Sequence, residues 1–147
     1  MHTILVGIDG SESADRATEF AATLAKACGA KLALVCVAAV DSRLTLDAGF
    51  KAMLESERIT LGEFLENEAR MTLEKAKPRA EKIRGGSVAT VVRLGDAAEA
   101  IIALAPEYDD PLIVVGRRGR GQLAGLLLGS VSQKLTTHVP CPVIVVP

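Results

Sequence analysis

Pro111-Leu-Ile-Val-Val-Gly116-Arg117-Arg118-Gly119, then nine residues, then Gly129-Ser130, and finally Pro142-Val-Ile-Val-Val146, decide how this chain is read. The first apolar run is a strand that ends in glycine, and a basic segment follows it. A second glycine and a serine then open a helix, Val131 to His138, before a closing strand. Strand, crossover helix and strand in that order give parallel neighbours joined by a right-handed connection. Backbone N–H groups at a helix start, unblocked by Cβ atoms, also form a ready site for an anion.

Upstream, strand and helix alternate to the N-terminus. Thr3 to Asp9 is a short apolar run closed by Asp9-Gly10, a strand with a turn. Ser11 or Ser13 caps a helix running to about Cys28, with Ala14, Ala17, Phe20, Ala21, Leu24 and Ala25 on its apolar face. Leu32 to Val40 is continuously apolar, as expected of a strand buried on both faces. Residues 41–50 read as loop. A long amphipathic helix follows, with Leu61, Leu65, Ala69, Leu73, Ala76, Ala80 and Ile83 in one stripe. Pro78 lies off the stripe and predicts a kink or break. Ser87 to Leu94 is a third strand, and Asp96-x-x-Glu99 opens a helix over Ala97 to Ala105 that Pro106 ends. The order β-α-β-α-β-α-β-α-β predicts a single domain built on a doubly wound, Rossmann-like parallel sheet with helices on both faces.

With 49% hydrophobic residues and 3% aromatics, the core has to be aliphatic. The formal net charge of −1 argues against general nucleic-acid binding, which shows a basic excess. Cys28, Cys36 and Cys141 form no CxxC pair and are expected to serve as small hydrophobes in a reducing compartment. The run Ile4 to Ile8 is cut by Asp9 and lacks a basic leader, and no apolar stretch approaches the ~20 residues of a membrane span. A cytoplasmic protein is the expectation.

In an open α/β sheet, ligands bind beyond the carboxyl ends of the strands where the winding reverses. Here the first and fourth strands end in Asp9 and Gly116, and the second ends near Val37, so three segments converge. Arg117, Arg118 and Arg120 bring charge for a di- or triphosphate. Plainer readings exist for each part. Ser130 stands three residues before Gln133, a capping-box spacing; the arginines could be solvated surface; the glycines could be plain turns. Their combination is harder to explain in those terms. Two superficial matches fail. Gly119-x-Gly121-x-x-Ala124 lacks a following strand with a ribose-binding acid, and Gly125-x-x-x-Gly129-Ser130 lacks the lysine of a P-loop.

Gly116-x-x-Gly119-(nine residues)-Gly129-Ser130 resembles the ATP-binding signature of the universal stress protein family. The opening Ile4-Leu-Val-Gly-Ile-Asp9-Gly-Ser11, the strand Leu34-Val-Cys-Val37 and the ending His138-Val-Pro-Cys-Pro-Val-Ile-Val-Val146 agree with it, over essentially the whole chain. The resemblance implies a five-stranded parallel sheet in the order 3-2-1-4-5. It implies ATP, or else ADP or AMP, bound with Mg2+ and without a protein metal site. Asp9 and Val37 would then face the adenine, with Gly7 beside the nucleotide. Gly116, Arg118 and Gly119 would lie along ribose and phosphates, and Gly129, Ser130, Val131 and Ser132 would hold the phosphates. Cys36 and Arg117-Arg118 depart from the family's more usual residues.

A nucleotide-dependent regulatory or stress-response switch is the function this implies. The alternatives are a slow ATP hydrolase or self-phosphorylating protein with Ser130 or Ser132 as acceptor, and a nucleotide-free dimeric interaction module. Phosphoryl transfer needs metal-holding carboxylates and a base or water-positioning group, and the crossover offers neither, so no catalytic residue is assigned. Val143 to Val146 would be an aggregation-prone edge if bare, and pairing it across a two-fold axis gives a homodimer. An unidentified protein partner completes the expectation.

Overall fold

A computed structural model describes residues 1–39, 47–120 and 128–147. The expected loop positions 41–46, and Gly121, Ala124 and Gly125 of the crossover, lie outside the described residues. The elements are β1 (Thr3–Ile8), α1 (Glu12–Cys28), β2 (Lys31–Ala38), α2 (Ala48–Glu57), α3 (Leu61–Arg84), β3 (Ala89–Leu94), α4 (Ala97–Leu104), β4 (Pro111–Gly116), α5 (Ser130–His138) and β5 (Val143–Val146). A single 3-10 turn, Ala105–Glu107, follows α4.

The five strands form one all-parallel sheet in the order β3-β2-β1-β4-β5. Side chains alternate across each strand and so feed two cores. Ile4, Val6, Leu34 and Val114 pack under α1 and α3, whereas Leu5, Val35, Ile113 and Val115 pack with Ile101 and Leu104 of α4 and Leu135 of α5. β1 lies between β2 and β4, with Gly7 level with Val35 on one side and Val115 on the other. The winding reverses between β1 and β4, and the carboxyl ends of β2, β1 and β4 meet at one edge.

Helix ends follow local chemistry. The Ser11 hydroxyl accepts from the Ala14 N–H at 3.2 Å, so Ser11 caps α1. Thr60 and Glu63 form a reciprocal capping box on α3, a signal the sequence reading missed. Pro78 neither breaks nor ends α3; it is exposed, and buried Leu73 and Ala80 hold the helix to the sheet on either side of it. Residues 48–57 also depart from expectation, forming α2 as a separate helix, capped by Asp47 and stopped by Arg58 in the left-handed conformation (φ 55°).

Smaller corrections have the same cause: exposure at the rim of the fold. Phe20 is 44% exposed, and Thr18 and Ala22 are buried on α1 instead. Cys28, the last residue of α1, is exposed rather than packed. β3 begins at Ala89, later than expected, and as an edge strand it buries none of its residues.

Candidate functional site

The crossover is pinned to the sheet by its own backbone. The Arg117 N–H donates to the Val146 carbonyl at 2.6 Å, and the Gly129 N–H donates to the Arg117 carbonyl at 2.8 Å. The Ser132 hydroxyl, buried, lies 3.1 Å from the Arg117 carbonyl and 3.0 Å from that of Gly129. One short stretch therefore joins the end of β4, the start of α5 and the end of β5.

Two glycines are fixed by close approach. A Cβ on Gly116 would stand 2.7 Å from the Ser13 backbone carbon and 2.8 Å from its carbonyl oxygen, so the end of β4 lies directly against α1. A Cβ on Gly119 would stand 2.6 Å from a carboxylate oxygen of Asp9. That carboxylate links two loops, accepting from the Ser11 N–H at 3.0 Å and from the Arg120 N–H at 2.9 Å. Asp9 thus sets the distance between the β1 turn and the crossover.

At the start of α5 the first intrahelical bond of this kind is Gln133 N–H to the Gly129 carbonyl, at 3.0 Å. The N–H groups of Ser130, Val131 and Ser132 precede it and have no acceptor within the helix. Gly129, not Ser130, is the cap residue, and the helix has no side-chain cap. The capping-box role read for Ser130 is therefore corrected. Its hydroxyl is on the first helical residue, exposed, beside the N–H groups.

These parts open onto a cleft of about 880 Å³ across the carboxyl ends of β2, β1 and β4. All ten residues singled out from the sequence line it: Gly7, Asp9, Val37, Gly116, Arg118, Gly119, Gly129, Ser130, Val131 and Ser132. Arg120 joins them, whereas Arg117 does not. The Cys36 thiol also lines the cleft, and burial, reinforced by the Asp9 charge and opposed by Arg120, pushes its pKa up to about 11. It stays a neutral thiol at physiological pH.

The sequence reading missed one whole wall. Phe50 and Met53 of α2, and Phe64, Leu65, Glu68 and Thr72 of α3, line the same cleft. The Phe50 and Phe64 rings meet edge to face with centroids 5.1 Å apart. The Thr60-x-x-Glu63 capping box was the available signal, since it marks a helix start and separates 48–57 from α3. Among the described residues, no group of three or more His, Cys, Asp or Glu side chains is placed to hold a metal ion, and no helix is long and apolar enough to cross a membrane.

Comparison with known proteins addresses the whole chain. A sequence model of the Universal stress protein family matches residues 1–147. A universal stress protein of Thermus aquaticus is 36% identical over 152 residues, covering 98% of this chain and 97% of its own. The solved structure of UspA from Lactobacillus plantarum superposes with a TM-score of 0.78 at 24% identity, over 99% of this chain and 97% of that one. A universal stress protein solved in complex with cAMP superposes with a TM-score of 0.66 at 28% identity, over 99% and 96%.

Proposed function

Because the chain belongs to the universal stress protein family, we propose that its cleft binds an adenine nucleotide, ATP, and that occupancy is read as a regulatory signal. The observation that carries this is the convergence of four separate segments, around Gly7 and Asp9, at Val37, at Gly116–Gly119 and at Gly129–Ser132, on a single cleft. One end of that cleft offers uncommitted helix N–H groups with the Arg118 backbone against Gly129, while the Arg120 guanidinium lies over Gly10 at the β1 turn. N–H groups with nearby basic charge are the chemistry of a polyphosphate site. The related protein solved with cAMP supports an adenine nucleotide as the ligand class. The phosphates would lie against Gly129, Ser130, Val131 and Ser132, with Arg118 and Gly119 along the ribose and phosphates. Asp9 and Val37 would border the base. Mg2+ would arrive on the phosphates.

A signalling role is supported by how the cleft is wired. The Arg117 N–H bond to the Val146 carbonyl ties the crossover to β5, and the Ser13 hydroxyl of α1, 3.5 Å from the same oxygen, accepts from the Arg118 N–H at 3.4 Å. β5 is the sheet edge on which a second copy of the chain would pair. Nucleotide at the crossover thereby bears on the proposed dimer edge and on whatever partner reads it.

The test is calorimetric titration of nucleotide-stripped protein with Mg-ATP, beside the Gly119→Val variant. Saturable binding near one per chain is expected, with at least tenfold loss in the variant (about 1.4 kcal/mol or more). Equal affinity in both proteins would remove the assigned site. Sedimentation at micromolar concentration checks the edge: a dimer is expected, and a monomer refutes pairing through Val143 to Val146.

A further inference from the structure

We infer that α2 is a base clamp: Phe50 and Met53, backed by Phe64 of α3, form an apolar wall on which the nucleobase stacks, and this wall makes the site select a nucleotide over a bare polyphosphate. The inference rests on the nucleotide reading of the same cleft and adds the element that recognises the base.

The chain holds only three phenylalanines, one tyrosine and no tryptophan. Tyr108 packs into the core beneath α4 and α5, and Phe20 faces outward from α1. The remaining two aromatics meet each other on the wall of the cleft. So scarce a resource placed at one site argues for a use beyond filling space. α2 itself buries no residue. A ten-residue helix is marginal in water without a packed face. Its half-buried positions are Phe50, Met53 and Leu54, and two of them, Phe50 and Met53, one turn apart on the same side, line the cleft.

The cleft is therefore graded. Near the end of β2 its lining is mostly apolar, with Val35, Val37, Phe50, Met53 and Phe64, and Glu68 and Thr72 of α3 on the same wall. Near the end of β4 it is a cradle of N–H groups and arginine. β2 and β4 are separated by β1 alone, so the two ends lie about 10 Å apart, twice the spacing of neighbouring strands. A ligand that fits has a flat apolar group at one end and phosphates at the other. Aromatic rings and a methionine thioether are suited to the π-face and edge of a purine, and every base offers such a face for stacking. A bare polyphosphate leaves the wall uncovered.

The test compares Mg-ATP with inorganic tripolyphosphate on the full chain. Phe50→Ala/Met53→Ala should lose at least tenfold in ATP affinity while tripolyphosphate affinity stays unchanged; the ligand-free unfolding midpoint should move little, since α2 buries no residue and gives up only the half-buried contact of Phe50 with Phe64. Equal ATP affinity in the double variant and the parent overturns the clamp while leaving the nucleotide site intact. If the parent protein fails to bind ATP, the nucleotide reading falls and the clamp falls with it. Phe50→Trp supplies an independent readout, since it introduces the sole tryptophan. Its fluorescence should change on adding Mg-ATP and not on adding tripolyphosphate; no change with ATP also overturns the clamp.

Discussion

The two ends of the cleft are built by opposite means. The β4–α5 end is backbone: glycines, N–H groups and carbonyls held by Arg117, Ser132 and Val146. The β2–α2 end is side chain: two phenylalanines and a methionine on helices, one of which buries nothing. A backbone site has to spend glycines at fixed spacings, because a Cβ would collide with a neighbour or shield an N–H. A side-chain wall needs only apolar residues one helical turn apart, a pattern indistinguishable from ordinary amphipathicity. The contrast teaches that the β4–α5 end should be rigid and intolerant, and the β2–α2 end soft and separable from folding.

The largest effect should come from Gly116→Val. Its Cβ would enter the Ser13 backbone, which cannot step aside as a side chain can. We expect a loss of about 2–3 kcal/mol in urea unfolding. Stability close to the parent's would break the contrast at its rigid end. Asp9→Asn comes next. The amide keeps one acceptor oxygen but turns an N–H2 toward either the Ser11 or the Arg120 N–H, so about 1–2 kcal/mol should go. The same change removes a charge that raises the Cys36 pKa, so that thiol should titrate below its parent value of about 11. Difference absorbance at 240 nm or so would follow it.

Cys36 also sets a pH signature. Its pKa is about 11 folded against an ordinary 9.0, so between those values the unfolded chain releases the proton first. Stability from this group is whole below pH 9.0 and falls as pH rises toward 11. Replacing Cys36 with Ala should flatten that decline, measured as unfolding midpoint against pH. At neutral pH an alkylating reagent should label exposed Cys28 well before Cys36. The smallest effect belongs to the soft end. Asp47→Ala removes the cap whose carboxylate accepts from the Phe50 N–H at 2.7 Å. About 1 kcal/mol of local helix stability should disappear. It should show as faster amide exchange confined to α2, with the global unfolding midpoint unmoved. A lowered midpoint would mean that α2 is part of the core after all.

Legibility in the sequence follows the same division. β1, β2 and β4 were plain because buried parallel strands are continuous apolar runs, β5 read the same way although it is a half-buried edge, and the order of the sheet followed from the resemblance and holds in the structure. The cleft-lining residues of the β4–α5 end could be named because Gly116, Gly119 and Gly129 punctuate the chain. α2 was not separated, its first three residues falling in the loop expected over 41–50 and its remainder running into the long helix expected after it, since Ala48-Gly-Phe-Lys-Ala-Met-Leu is too short and too weakly periodic to declare itself. Pro78 misled in the other direction: a helix held by buried residues on both sides of an exposed proline runs through it. Ser130 shows a subtler failure. Its spacing to Gln133 was right for a capping box, but the helix starts one residue earlier, at a glycine.

A sheet whose strands all run the same way has a head and a tail. Every connection returns the chain to the tail before the next strand, so the cleft can open only at the head. A parallel ladder is not its own mirror across a two-fold axis, because each residue bonds to two different residues opposite, whereas an antiparallel ladder is symmetric. A second copy joined at β5 by such an axis must therefore run head to tail. The two nucleotides would then sit at opposite poles of one continuous sheet, and a partner pressed against one mouth would be blind to the other.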